Sequence, residues 1–238
     1  MKVLGSPVRG VQIWQAHLES LSSAQLEALK STLDSAERAR AALFHFEADR
    51  KQYIACRGLL RNVLATSLEK PAAAIVIEYG KYGKPVVPLA AAGRALGFNI
   101  SHSAGWAFFA IAWHREVGID LESAVGLNSD DDRLSALANR ILSEREFNNW
   151  RSIPDSVLRR AAFLRARTRK EAFAKAIGKG VFDQWRGMEL VLDSASPKSC
   201  TTIASRAENG SATSWLIHDL FAPDGFAAAL AVEQKNFL

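Results

Sequence analysis

Cysteine is nearly absent: Cys56 and Cys200 are the only two in 238 residues. Two cysteines cannot build the disulfide framework of a small secreted domain. Cys56 falls in an apolar helical context and is expected to pack as a small buried hydrophobe. Long apolar runs are missing too, since no stretch approaches the ~18 uninterrupted apolar residues of a membrane span. The opening segment MKVLGSPVRG breaks on Gly, Pro and Arg, so it does not read as a signal peptide. Cytoplasm is the compartment expected from these absences. Methionine and tyrosine are sparse, at two and three residues.

Apolar residues, by contrast, make up 48% of the chain, enough for a real core. The net charge is +5 and the pI about 9.4. That modest basic excess suits anionic partners such as nucleic acid, acidic proteins or phosphorylated cofactors.

Periodicity divides the chain into two runs of strand, helices, strands. Residues 10–17 alternate apolar and polar as a strand does. Ser22 or Ser23 and then Asp34 are placed to cap helices. Residues 47–68 predict a long helix with an apolar face through Cys56, Leu60 and Leu64, and with Arg50, Arg57 and Arg61 around the opposite edge. Residues 75–78 and 98–100 read as short strands, and Gly80, Gly83 and Pro85 mark a turn presenting Lys84. The fully apolar run WAFFAIAW over 106–113 predicts a buried central strand. Residues 117–121 follow a tight polar turn and predict its hairpin partner. Residues 123–132 read as a polar loop. Ser143-x-x-Glu146 forms a capping box, and a helix over 156–177 stops at Gly178 and Gly180. Residues 188–193, 213–220 and 226–233 predict late strands. The element order gives an α+β fold of two halves, with the join near residues 113–118.

Chemistry concentrates in two segments, 98–122 and 163–181. Phe98-Asn99-Ile100-Ser101-His102-Ser103 is rich in hydroxyl and imidazole groups. Val117-Gly118-Ile119-Asp120-Leu121-Glu122 carries two carboxylates two residues apart, on one face of a strand. Such a pair is either a solvated strand end or an all-oxygen site for a hard ion such as Mg²⁺. In the second segment, residues 163–181, Glu171 and Lys175 share a helix face. They are either a surface pair or a third carboxylate beside a cation for a phosphate.

The segments FNISHS, VGIDLE and RKEAFAKAIGKG, in that order, resemble the Sfp-type 4'-phosphopantetheinyl transferases. Tyr82-Gly83-Lys84-Pro85 is similar to that family's GKP segment. Arg40, Phe44, Phe46, Asp49 and the run Arg57-Gly58-Leu59-Leu60-Arg61 are similar to its basic helical region. The resemblance covers roughly residues 38–182 and departs at Arg167, where the family usually has an aromatic residue.

What the resemblance implies is specific. The fold is a pseudo-dimer of similar α+β halves, 1–115 and 116–238, with the active site at their interface. The reaction moves the 4'-phosphopantetheine arm of coenzyme A to a serine of an apo acyl or peptidyl carrier protein and releases 3',5'-ADP. Mg²⁺, with Mn²⁺ as a substitute, is held by Asp120, Glu122 and Glu171. Glu171, Lys175 and Asp120 are the catalytic residues. Arg40, Arg57, Lys84, Ser101, His102 and Lys175 bind the cofactor, with Lys170 and Lys179 as further candidates. The carrier is acidic, and the two-half chain is expected to work as a monomer without nucleic acid or membrane. Two other classes share part of the pattern. A different Mg²⁺-dependent phosphoryl-transfer enzyme shares the carboxylates, and a basic nucleic-acid-binding protein shares the charge. Neither accounts for the GKP and FNISHS segments.

Overall fold

The computed structural model describes residues 1–125, 127, 131–178, 200–206 and 212–234. In chain order the elements are β1 (Lys2–Leu4), β2 (Val11–His17), α1 (Ser23–Ser31), α2 (Ser35–Ala42), α3 (Glu47–Leu68), β3 (Glu78–Tyr79), β4 (Pro85–Val86), α4 (Leu89–Ala92), β5 (Leu96–Ser103), β6 (Trp106–Trp113), β7 (Val117–Ser123), α5 (Asp131–Ile141), α6 (Glu144–Arg151), α7 (Ser156–Ile177), β8 (Cys200–Arg206), β9 (Ala212–Leu220) and β10 (Phe226–Gln234). Strands order as β1-β2-β6-β5 in one antiparallel sheet and as β7-β10-β9-β8 in another, with β3-β4 a small ribbon.

The two sheets are stacked between two long helices. Successive side chains of β6 point to opposite faces. Ala107, Phe109 and Ile111 pack with Leu60, Val63 and Leu64 of α3. Phe108, Ala110 and Ala112 pack with Val117, Ile119 and Leu121 of β7 and with Leu230 of β10. This two-sided burial explains why the run is apolar throughout. On the far side of the second sheet, Ala229 and Ala231 meet Ala172, Phe173 and Ala176 of α7. Each large buried aliphatic side chain contributes about 1.5–3 kcal/mol.

Local chemistry sets the helix ends. Ser22, Asp34 and Ser143 each complete a capping box, with Gln25, Glu37 and Glu146 respectively. Asp155 caps α7, and Gly178 closes it with φ 67°, a left-handed conformation that costs glycine little.

Several sequence expectations are corrected. β7 does not pair with β6: it lies at the edge of the second sheet and pairs with β10. Its other edge meets β5 through side chains. Asn99 Oδ1 accepts from the Ile119 N–H at 3.0 Å, Ser101 Oγ from Leu121 N–H at 3.2 Å, and Ser103 Oγ from Ser123 N–H at 3.2 Å. A tight turn therefore does not make a hairpin here, because the chain changes sheets. The strand expected over 75–78 begins only at Glu78, after a 3₁₀ turn at Ala72–Ala74. The loop expected over 123–132 gives way to α5 at Asp131. The strand over 200–206 was not anticipated, and the one expected over 188–193 lies outside the described residues.

Arg57 and Arg61 do not line an exposed edge of α3. They are 8% and 0% exposed and are held by acidic partners on α2 and at its cap.

Gly118 sets the distance between β7 and α7. A Cβ there would lie 2.0 Å from Ala172 O and 2.4 Å from Ala176 N. Gly118→Ala must push the helix off the strand. The expected result is a loss of about 1–3 kcal/mol, typical of overpacking. It should be read as a lower melting temperature together with lower activity, since the same helix carries Glu171 and Lys175. An unchanged melting curve would contradict this contact.

Candidate active site

The period of two in β7 separates its functions. Val117, Ile119 and Leu121 enter the inter-sheet core. Gly118, Asp120 and Glu122 share the opposite face, where α7 crosses. On α7, positions 167, 171 and 175 recur every four residues and so share one face. The strand and the helix thereby bring together residues that lie about fifty apart in sequence.

Asp120 is buried, its side chain only 4% exposed. Its Oδ1 accepts from Lys175 Nζ at 2.6 Å and from Ser101 Oγ at 3.0 Å. Lys175 also reaches Ser101 Oγ at 2.9 Å. Ser101 thus joins β5 of the first sheet to β7 and α7. Asp120 Oδ2 is buried without a hydrogen-bond partner. A bare, buried carboxylate oxygen is costly and marks a place for a cation or donor.

Glu122 pairs with Arg167, Nη2 to Oε1 at 2.8 Å. Burial pushes the Glu122 carboxyl pKa up; Arg167 opposes this, and Asp120 adds to it. Burial likewise raises Glu171, with repulsion from Asp120 the next cause. Three carboxylates therefore share a half-desolvated space with two cations. Among the described residues, no group of three or more His, Cys, Asp or Glu side chains is set up to hold a metal ion. As placed, Lys175 takes Asp120 and Arg167 takes Glu122. The donor set is nonetheless all oxygen, and Asp120 Oδ2 is open, which suits a hard divalent cation.

His102 faces away from Ser101 along β5 and is solvent-accessible. Its Nδ1 lies 2.9 Å from Gln52 Nε2 on α3. With the amide donating, the neutral ring carries its hydrogen on Nε2. Lost hydration and the nearby Lys175 ammonium lower the His102 pKa, favouring the neutral ring. Gln52, fifty residues upstream, stands in no motif that would have marked it as a partner of His102.

Other candidates are placed elsewhere. Arg57 donates to Glu37 at 2.9 Å and to Tyr79 Oη at 2.7 Å. Arg40 lines a cavity of about 430 Å³ with Tyr53, Arg57 and Tyr79. Lys84 spans the junction between the sheets, donating to Glu116 Oε2 at 2.5 Å and Ala176 O at 2.7 Å. Lys170 is 0% exposed and donates to Glu146 Oε2 at 2.6 Å and Ile141 O at 3.1 Å. Arg169 forks onto Asp219, both contacts at 2.6 Å. Consecutive helical residues point about 100° apart, so Arg169 and Lys170 anchor α7 while Glu171 enters the site. Lys179 lies outside the described residues. Cys56 is 4% exposed, and burial pushes its thiol pKa up to about 12.

Comparison with known proteins agrees in both halves. The family model described as "4'-phosphopantetheinyl transferase, N-terminal" matches residues 18–114. The model of the 4'-phosphopantetheinyl transferase superfamily matches residues 116–231. The 4'-phosphopantetheinyl transferase HetI of Nostoc sp. is 35% identical over 222 residues, covering 93% of this chain and 87% of the relative. A phosphopantetheinyl transferase of Thraustochytrium sp. is 28% identical over 201 residues, covering 80% and 68%. The L-aminoadipate-semialdehyde dehydrogenase-phosphopantetheinyl transferase of Xenopus laevis is 33% identical over 148 residues, covering 61% and 49%.

Proposed function

The chain belongs to the 4'-phosphopantetheinyl transferase superfamily, and from that premise we propose that this site moves the arm of coenzyme A, with Mg²⁺, onto a serine of an acidic apo carrier protein. It is a transferase that delivers phosphopantetheine to carrier proteins. The observation carrying the finer reading is the cluster of Asp120, Ser101 and Lys175 beside Glu171, built from both sheets and α7.

In this reading the carrier serine oxygen attacks the pyrophosphate phosphorus nearer the pantetheine. The new P–O bond forms as the bond to the departing phosphate breaks, and 3',5'-ADP leaves. Such chemistry asks for positioning and charge neutralisation more than for covalent catalysis. Glu171 takes the serine proton, a role that fits its place on the same face of α7 as Lys175 and next to Asp120. Lys175 is 32% exposed, which leaves a face of its ammonium for the leaving phosphate. The His102 Nε2–H and Arg40 supply further phosphate contacts. Arg57 and Lys84 serve the frame. Mg²⁺, held by Asp120, Glu122 and Glu171, would neutralise charge on the pyrophosphate oxygens.

A cleft of about 760 Å³ opens beside Glu122 and Arg167 and is lined by Arg133, Leu134, Leu137 and Arg140. Its arginines and aliphatic floor suit an acidic carrier helix. We place the division of the halves at 115/116. Both halves in one chain supply the site, so a monomer suffices, and a cytoplasmic setting fits coenzyme A chemistry. No helix among the described residues is long and apolar enough to cross a membrane.

The test is mass spectrometry of apo carrier proteins incubated with coenzyme A and Mg²⁺. One serine should gain about 340 Da, the mass of the arm. EDTA should abolish the gain, and Mg²⁺ or Mn²⁺ should restore it. Full transfer in excess chelator would remove the metal from the mechanism.

A further inference from the structure

Glu122 is one of the three carboxylates assigned to the metal, yet it is already held in an ion pair by Arg167, which has no part in the reaction just described. Arg167 projects from the same face of α7 as Glu171 and Lys175. Its guanidinium lies 2.8 Å from Glu122 Oε1, and the two side chains are 29% and 22% exposed. Partial burial protects such a pair from solvent and salt screening. Three carboxylates against two cations leave the cluster a single formal negative charge. A divalent ion entering that space gains less than it would from three free carboxylates. To use Glu122 as a ligand it must also break a formed ion pair.

We propose that Arg167 is a built-in competitor of the divalent ion at Glu122, so that metal loading and release of the arginine are one exchange. The proposal rests on the metal-assisted reading above. Without the ion, Arg167 neutralises Glu122 and keeps the three carboxylates from repelling one another. With the ion, Glu122 turns to the metal and the guanidinium is freed. Arg167 already lines the cleft that holds Arg133 and Arg140, so the freed charge adds to that basic wall. Asp120 also carries an ion pair, Lys175 on Oδ1 at 2.6 Å, but its buried Oδ2 has no hydrogen-bond partner, so that oxygen and Glu171 are the ligands available from the start. Glu122 is conditional on the exchange.

The size of the effect follows from what a neighbouring cation does to a carboxylate. Removing Arg167 takes the cluster from one formal negative charge to two, and a close, half-buried charge of that kind is expected to change affinity for a divalent ion at least about tenfold. The test is binding of Mn²⁺ alone to the purified full-length protein, measured by electron paramagnetic resonance or calorimetry. Parent, Arg167→Met, Glu122→Gln and the double variant are compared. Arg167→Met should bind Mn²⁺ at least about tenfold tighter than the parent. In the Glu122→Gln background the same change should alter affinity less than about twofold. Arg167→Gln replaces Arg167→Met if the latter does not fold.

Equal or weaker Mn²⁺ binding by folded Arg167→Met would overturn the proposal. So would a tightening that persists in Glu122→Gln, because the arginine would then act elsewhere. If neither parent nor variant binds Mn²⁺ at millimolar concentration, the metal reading fails and the proposal with it. Carrier transfer detected by mass spectrometry would still stand in that case, so the two failures are distinguishable.

Discussion

Glu171→Gln is expected to lower carrier modification at least about a hundredfold while leaving the melting temperature at or above that of the parent. Loss of one electrostatic contact to a transition state typically costs about a hundred- to a thousandfold in rate. Stability moves the other way because burial, then Asp120, raise the Glu171 pKa. A carboxyl with a raised folded-state pKa binds its proton more tightly in the folded protein than in the unfolded chain. The ionised form therefore destabilises the fold, and stability falls as pH rises from the ordinary glutamate value of 4.5 through the folded pKa. Glutamine has no charge to lose. The fall in melting temperature above pH 4.5 should be shallower in Glu171→Gln than in the parent, with part of the slope remaining because Glu122 is raised as well. Calorimetry across pH and single-turnover transfer monitored by mass spectrometry check the two halves of this prediction. Parental rates in the folded variant would return Glu171 to an ordinary surface residue.

Lys175 is a less clean probe. As the ammonium on a buried Asp120, its loss leaves a carboxylate without a counter-charge. Its removal is expected to lower both activity and stability, and so cannot isolate chemistry. Conservative replacement of Glu171 avoids that confusion, since it removes like-charge repulsion without leaving a buried charge unpaired.

The legibility of this chain follows how local each signal is. The helix expected over 47–68 was readable from the 3.6-residue period of its apolar face, and the one over 156–177 from its helix formers and the stop at Gly178, signals that act within a few turns. The two carboxylates of β7 were readable because a period of two puts them on one face. The partner of β7 was not readable: pairing depends on which sheet a strand joins, and a short turn after β6 says nothing about that. The polar alternation Asn99, Ser101, Ser103 on a buried strand is a usable signal in hindsight. Its hydrogen bonds to β7 explain three of the six residues in FNISHS by architecture alone. Arginine was the hardest residue to read. Arg57, Arg61 and Arg167 all look like solvated helix charges in sequence, yet each is fixed by a carboxylate at least 20 positions away in the chain.

Glu37→Ala is expected to destabilise the protein by about 3–5 kcal/mol, the cost of stripping the partner from buried charge. Glu37 is 5% exposed and receives Arg57 Nε at 2.9 Å and Arg61 Nε at 2.6 Å. Arg61, fully buried, also donates to Asp34 Oδ2 at 2.7 Å and to the carbonyls of Ala72 and Ile75 at 3.0 and 2.9 Å. These contacts tie α2 and the turn after α3 to that helix. Alanine would leave two guanidinium groups sharing one half-exposed aspartate, a phenol and main-chain oxygens. For a chain of this size, each kcal/mol lowers the melting temperature by about 2–4 °C. Arg57→Met combined with Arg61→Met and Glu37→Leu should recover part of the loss, because it removes the buried charges together, while the Ala72 and Ile75 carbonyls still lose their donor. The same network decides between two duties for Arg57. If it serves the frame, Arg57→Ala melts early, and the protein that remains folded binds coenzyme A as the parent does. Parental melting with weakened coenzyme A binding would instead return Arg57 to the cofactor.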